Sequence, residues 1–270
     1  MSLVNTNWLK ENLDKVKIID CSWHMPQTKR NGFDEYKVKH IESAIFFDLD
    51  KNSKKNTDLP HMLPDIKSWK DIVSNMGIKN DEQIIIYDNS DVISSCRCWY
   101  NFIYFGHNPE LVHVLDGGFK KWIEEGMSTT GDIIKIIPSN YTVSEKKELV
   151  KNINQIDKNI LENEFNVIDA RSLERFEGKV PEPRKGLRSG SIKNSFCLPY
   201  SELINQNHTF ISKEKIYEKF KSTGYDVDKN IVFSCGSGVT ASVLALAYSL
   251  IDNKYMPSIY DGSWSEYGKN

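Results

Sequence analysis

The 270-residue sequence predicts an α/β protein of two tandem domains, each a mostly parallel central sheet flanked by helices. Two observations predict it. Short apolar runs alternate with amphipathic segments, the pattern of parallel strands joined by helical crossovers. The ordered set of those segments also occurs twice, which marks a duplication.

The helix–strand phrase before residue 88 shows the duplication most clearly. "PDIKSWKDIVSNMG" (64–77) carries apolar residues at Ile66, Trp69, Ile72 and Val73, and the apolar strand "DEQIIIYD" then ends at Asp88. In the second half, "SKEKIYEKFKSTG" (212–224) places Ile216, Tyr217 and Phe220 at helical spacing, with Ser212 as N-cap and Gly224 as the C-terminal stop. "DKNIVFSC" then ends at Cys235. Gly77 and Gly224 lie 147 residues apart, and so do Asp88 and Cys235. Other segments recur in the same order. "KIIDCS" (17–22) answers "NVIDAR" (166–171), "KHIESAIFFDL" (39–49) answers "GSIKNSFCLPY" (190–200), and "HVLDGGFKKW" (113–122) answers "SIYDGSWSEY" (258–267). These matches set the expected boundaries: domains over 1–127 and 149–270, and a linker over 128–148, a stretch unmatched in the repeat, with an extended segment wrapping a domain.

The bulk numbers narrow the function. A formal net charge of −2 offers no electrostatic footprint for nucleic acid or an anionic membrane. No apolar run approaches the roughly 20 residues that span a bilayer, and the first 20 residues lack the apolar core of a secretory signal. Five cysteines, an odd and sparse set, argue against a disulfide scaffold and for a reducing, cytoplasmic setting. Cys96 and Cys98 form a C-x-C without the second pair a zinc site needs, so they read as ordinary reduced thiols, and no metal is expected.

The two copies differ at one decisive place. "IVFSCGSGVTASVLALAYSL" (231–250) puts Cys235 at a strand end, in a loop of small residues before a helix, where the first copy has Asp88 followed by "NSDVISSC". Ligands of open α/β sheets sit at the carboxyl ends of strands. A helix N-terminus there favours an anion such as a thiolate. Gly236 and Gly238 let the backbone curl round the sulfur, and Ser237 and Thr240 add hydroxyl donors. The bland reading of a lone cysteine is an inert, buried small hydrophobe; the Gly-Ser-Gly surround favours a nucleophile. Other chemistries fit less well. A phosphatase loop of C-x5-R form needs arginine where Ala241 stands, the surround of Cys235 is not that of a papain-type protease, and the loop lacks a G-x-S-x-G elbow.

With these residues in view, the sequence resembles the tandem rhodanese-type sulfurtransferases, in particular the 3-mercaptopyruvate sulfurtransferases. The resemblance covers nearly the whole chain, through "IIDCSW", "FFDLD", "LPHMLP", "LDGGFKKW", "DARS", "RFEG", "PEPRKG" and "CGSGVTAS". It implies an inactive N-terminal domain, a catalytic C-terminal one and a cleft to which the first contributes side chains. It implies Cys235 as nucleophile, a proton-handling set of Ser237, His61 and Asp50, and donor binding by Arg175 and Arg184 together with the loop residues Gly236, Gly238, Val239 and Thr240. Read without it, His61 and Asp50 are surface residues and the arginines belong to a solvated charged run. The chemistry is coherent, because an Asp–His–Ser set moves a proton and a guanidinium fork holds a carboxylate. The expected reaction passes sulfur from 3-mercaptopyruvate through a Cys235 persulfide to cyanide, a thiol or a thioredoxin-like protein, without cofactor. Thiosulfate:cyanide sulfurtransferase is the neighbouring reading, disfavoured because Gly236 and Ser237 stand where those enzymes carry a basic pair. A sulfur-binding module without turnover is the reading from another class. One departure is expected to alter a turn: the family's Pro-Gly in "GHIPGA" is missing from both "KHIESA" and "GSIKNS".

Overall fold

The computed structural model describes residues 2–252, 256 and 258–269. The chain divides into two compact units, one of residues 1–55, 63–146 and 206–209, the other of 56–62, 147–205 and 210–270.

The first unit holds a five-stranded sheet of β1 (Leu3–Val4), β2 (Lys17–Asp20), β3 (Ala44–Phe46), β4 (Ile84–Tyr87) and β5 (Val112–Leu115), in the order β1-β5-β4-β2-β3. The second holds β6 (Val150–Lys151), β7 (Asn166–Asp169), β8 (Phe196–Cys197), β9 (Ile231–Ser234) and β10 (Ile259–Tyr260), in the order β6-β10-β9-β7-β8. Counted from the start of each unit the two orders are the same, and every pairing is parallel. The expected α/β fold is present twice. Parallel strands are covered on both faces, which is why the central "IIIY" of β4 and "IVFS" of β9 are buried at all four positions.

The helix preceding each of these strands forms as its residues require. Asp65 caps Ile66–Asn75 by accepting from the Ser68 amide, and Ser212 caps Lys213–Ser222 by accepting from the Lys215 amide. Trp69 and Val73 are buried in the first helix, Ile216 and Phe220 in the second. Ile66 and Tyr217 are exposed instead: Ile66 is the first residue of its helix, and Tyr217 lies one position past Ile216, off the stripe of Ile216 and Phe220. Gly77 and Gly224 both stop their helices at positive φ, +66° and +78°.

The stretch after residue 127 packs with the first unit up to residue 146: the Ser139 amide donates to Ser74 O, the Ser144 amide to Phe105 O and the Lys146 amide to Tyr104 O. Both stretches that lack Pro-Gly make a turn. Ser43 and Asn194 sit at φ +64° and +63°, and the following amides donate back to Ile41 O and Ile192 O at 3.0 and 3.2 Å. A short polar residue therefore adopts the left-handed conformation that glycine would take more cheaply.

The repeat gives one buried carboxyl a cation and its counterpart a hydroxyl. Asp169 at the end of β7 pairs with Arg171; its counterpart Asp20 at the end of β2 has Ser22 at the same spacing. Burial pushes the Asp20 pKa up to about 7, against the hydrogen bonds from the Ser22 hydroxyl and amide. The folded unit holds this proton more tightly than the unfolded chain. Its contribution is therefore full at low pH and is lost as pH rises toward 7. At about 1.4 kcal/mol per unit of pKa difference, the gap between an ordinary carboxyl and one near 7 is on the order of 4 kcal/mol. Asp20→Asn is expected to flatten the pH dependence of urea unfolding between about pH 4 and pH 7; equal slopes in variant and wild type would refute the assignment.

Candidate active site

The second unit gathers most of the predicted site around the loop after β9. Cys235 is 1% exposed and follows the last strand residue directly. The helix Val239–Ile251 begins four residues later, with Gly238 as its N-cap at φ +79°. Val239 is buried and Thr240 half-buried in the first turn. The amide of Ser237 lies 3.4 Å from the Cys235 sulfur. Only Gly238 uses glycine's conformational freedom. At Gly236, φ is ordinary, and the missing side chain instead leaves room: a Cβ there would lie 3.4 Å from Arg175 Nη2 and 3.5 Å from Arg184 Nη1.

Ser237 joins the parts. Its Oγ lies 2.9 Å from His61 Nδ1 and accepts from Arg184 Nη2 at 3.4 Å. His61 comes from the first half of the sequence, yet it groups with the second unit and is 4% exposed, so it is no surface histidine. One serine thus presents its amide to the sulfur and its hydroxyl to an imidazole. Asp50 lies in the first unit, where its carboxylate accepts from the Trp23 indole N–H at 2.9 Å.

Two groups of residues support this set. Glu182 is buried at the centre of the first. It accepts from Arg171 Nη1 at 2.8 Å, and from Arg175 Nη2 and Nε at 2.5 and 3.2 Å. Asp169 takes the other edge of Arg171, at 2.9 Å to Nε and 2.7 Å to Nη2. Burial lowers the Arg171 pKa, but Asp169 and Glu182 outweigh it and hold the pKa above the ordinary value. Arg175 is thereby gripped along one edge, through Nε and Nη2. The second group is the turn after β10. Trp264 donates its amide to Cys235 O at 2.9 Å, and Ser265 donates its amide and hydroxyl to Gly236 O at 2.9 and 2.6 Å. The Trp264 ring lies between two guanidiniums, with Arg171 Cζ at 4.4 Å and Arg188 Cζ at 4.6 Å from its centroid. Sequence reasoning missed Glu182, Arg171 and Ser263–Ser265, although "DGSW" was visible as part of the repeat.

The other thiols are unlike this one in setting. Cys96 and Cys98 are wholly buried in the helix Ser95–Tyr104, and burial pushes Cys96 well above its ordinary pKa. Cys197 is half-buried and is pushed up to about 12 by burial and the nearby Asp169. Among the described residues no cluster of His, Cys, Asp and Glu is placed to hold a metal, and no helix is long and apolar enough to cross a membrane.

Comparison with known proteins agrees with the geometry. The rhodanese-like domain model matches residues 5–125 and again 146–270. The chain belongs to the rhodanese family. Among rhodanese relatives, it is 38% identical over 288 residues to thiosulfate/3-mercaptopyruvate sulfurtransferase 1, mitochondrial, of Arabidopsis thaliana, covering 98% of this chain and 75% of that one. It is 33% identical over 274 residues to the 3-mercaptopyruvate sulfurtransferase of Mus musculus, covering 98% and 91%. The crystal structure of the rhodanese-fold 3-mercaptopyruvate sulfotransferase SseA from Escherichia coli superposes with a TM-score of 0.87 at 31% identity, over 98% of this chain and all of that one. The tandem rhodanese architecture expected from the sequence is borne out.

Proposed function

We propose that this protein is a 3-mercaptopyruvate sulfurtransferase with Cys235 as its nucleophile. The observation that carries the reading is the position of Ser237, whose amide faces the Cys235 sulfur while its hydroxyl meets His61 and Arg184. The Cys235 thiolate attacks the thiol sulfur of the donor, and an S–S bond forms as the carbon–sulfur bond breaks. The electron pair leaves on pyruvate enolate, which takes a proton handled by Ser237 and His61, with Asp50 as the third member of the set. Arg175 and Arg184 hold the donor carboxylate. Cys235 is then a persulfide, cradled by loop amides from Gly236 to Thr240. Cyanide, a small thiol or a thioredoxin-like protein removes the outer sulfur and regenerates the thiolate, a ping-pong cycle. A cytoplasmic setting belongs to the same proposal, supported by five cysteines that are all free.

Thiosulfate is the competing donor. It delivers sulfite, a doubly charged leaving group, and positions 236 and 237 are glycine and serine rather than cations. Donor profiling on wild type beside Ser237→Ala and Arg184→Ala tests the choice. Wild type is expected to show the higher kcat/KM with mercaptopyruvate. Ser237→Ala is expected to lose about 10- to 100-fold in kcat with that donor, and Arg184→Ala to lose mainly in KM. A wild-type preference for thiosulfate would overturn the reading.

A further inference from the structure

The turn that follows β10 contains a residue in an expensive conformation. Ser263 is fully buried and has φ +49°. The first unit shows what that position requires. Its counterpart there is Gly118, at φ +56°, where a Cβ would come within 2.6 Å of Asp88 O. The next amide makes the same bond in both copies: Phe119 N–H donates to Asp88 O at 2.9 Å, and Trp264 N–H donates to Cys235 O at 2.9 Å. The turn thus grips the residue at the strand end in both copies. The copy that holds an aspartate uses glycine, the residue suited to positive φ, whereas the copy that holds the cysteine accepts the strain of serine.

The serine hydroxyl has a specific use. It donates to Tyr260 O at 2.8 Å, which turns its lone pairs toward the Cys235 amide, and that amide donates to it at 3.2 Å. The Cys235 peptide is therefore held on both sides, through its N–H by Ser263 and through its carbonyl by Trp264. Neither bond touches a donor, because Ser263 is fully enclosed.

We propose that Ser263 is a positioning residue for the reaction, fixing the Cys235 peptide so that the sulfur points along its line of attack. The inference rests on the reading of Cys235 as nucleophile. It separates two roles that usually move together, since Ser263→Ala keeps the strain and removes the hydroxyl, whereas Ser263→Gly removes both. Pyruvate release from mercaptopyruvate, thermal unfolding and the mass of the Cys235 adduct are measured on the full chain for wild type and both variants. Both variants are expected to lose about tenfold or more in kcat, with KM changed by less than about twofold. Their Tm values are expected to move apart, with Ser263→Gly at or above wild type and Ser263→Ala below it. A Ser263→Gly variant with wild-type kcat, or a loss of rate that simply tracks Tm, would overturn the proposal while leaving Cys235 as nucleophile. Failure of wild type to gain a persulfide at Cys235 would overturn both.

Discussion

Replacing Cys235 by serine is expected to abolish sulfur transfer, with kcat falling by at least about a thousandfold. The oxygen of serine lies in the same loop but does not form the persulfide on which both half-reactions depend. Mass spectrometry after mercaptopyruvate treatment is expected to show a gain of about 32 Da on wild-type Cys235 and none on the variant, one sulfur atom being the mass added in persulfidation. The first unit does not rescue the loss. In the double variant Cys235→Ser with Asp88→Cys, a thiol is restored at the equivalent strand end, yet activity is expected to stay absent. The helix starts four residues after Cys235 but seven after Asp88, so its amides do not fall around residue 88 in the same way. The loop in the first unit is shaped for a carboxylate. Asp88 accepts from the Ser90 amide and hydroxyl at 2.8 and 2.6 Å and from the Ser95 amide at 2.9 Å. A side chain fixed by three hydrogen bonds occupies the place where the second unit has Cys235. Recovery of pyruvate release by the double variant would contradict this account.

The fold was legible because its signals are local and occur twice. Gly77 and Gly224 mark helix ends by a backbone conformation that few other residues favour, and their common offset fixes the repeat before any contact is known. Cys235 was legible for the same reason, since its neighbours Ser237 and Gly238 act within a few residues of it. Glu182 was not. It lies in "RFEGKVPEPRKG", a run whose composition reads as a solvated surface, and only the folded chain brings it between Arg171 and Arg175. Ser263 was hidden differently. Its residue type argues against a positive φ, and the local rule gives way because the hydroxyl has a partner 28 residues away in sequence. The exposure of Ile66 and Tyr217 shows the limit of counting apolar residues, since a residue on the right face is still exposed at the helix start, and one a single position off the stripe is exposed within it.

Glu182→Ala is the substitution expected to cost most in stability and donor binding together. The carboxylate is 1% exposed and serves two guanidiniums at once. Arg171 has no exposure, so Nη1 cannot turn to water when Glu182 is lost. Arg175 is 25% exposed and recovers part of its hydration. Breaking a buried ion pair from one side costs about 3–5 kcal/mol. Here Asp169 still pairs with Arg171 and Gly190 O still accepts from it, so about 2–4 kcal/mol is the reasonable range. The damage also passes toward the nucleophile. Arg171 stacks on Trp264, and Trp264 holds the Cys235 carbonyl. Glu182→Ala is therefore expected to lower the urea midpoint and to raise KM for mercaptopyruvate by about tenfold or more, because Arg175 loses the grip that orients it. Glu182→Gln separates charge from shape. Its amide fills the space and accepts from one guanidinium, but its NH2 end opposes the other's donors, so it is expected to recover part of the stability and little of the binding. A Glu182→Gln protein with wild-type midpoint and KM would show that the carboxylate's charge is not what holds Arg175 in place.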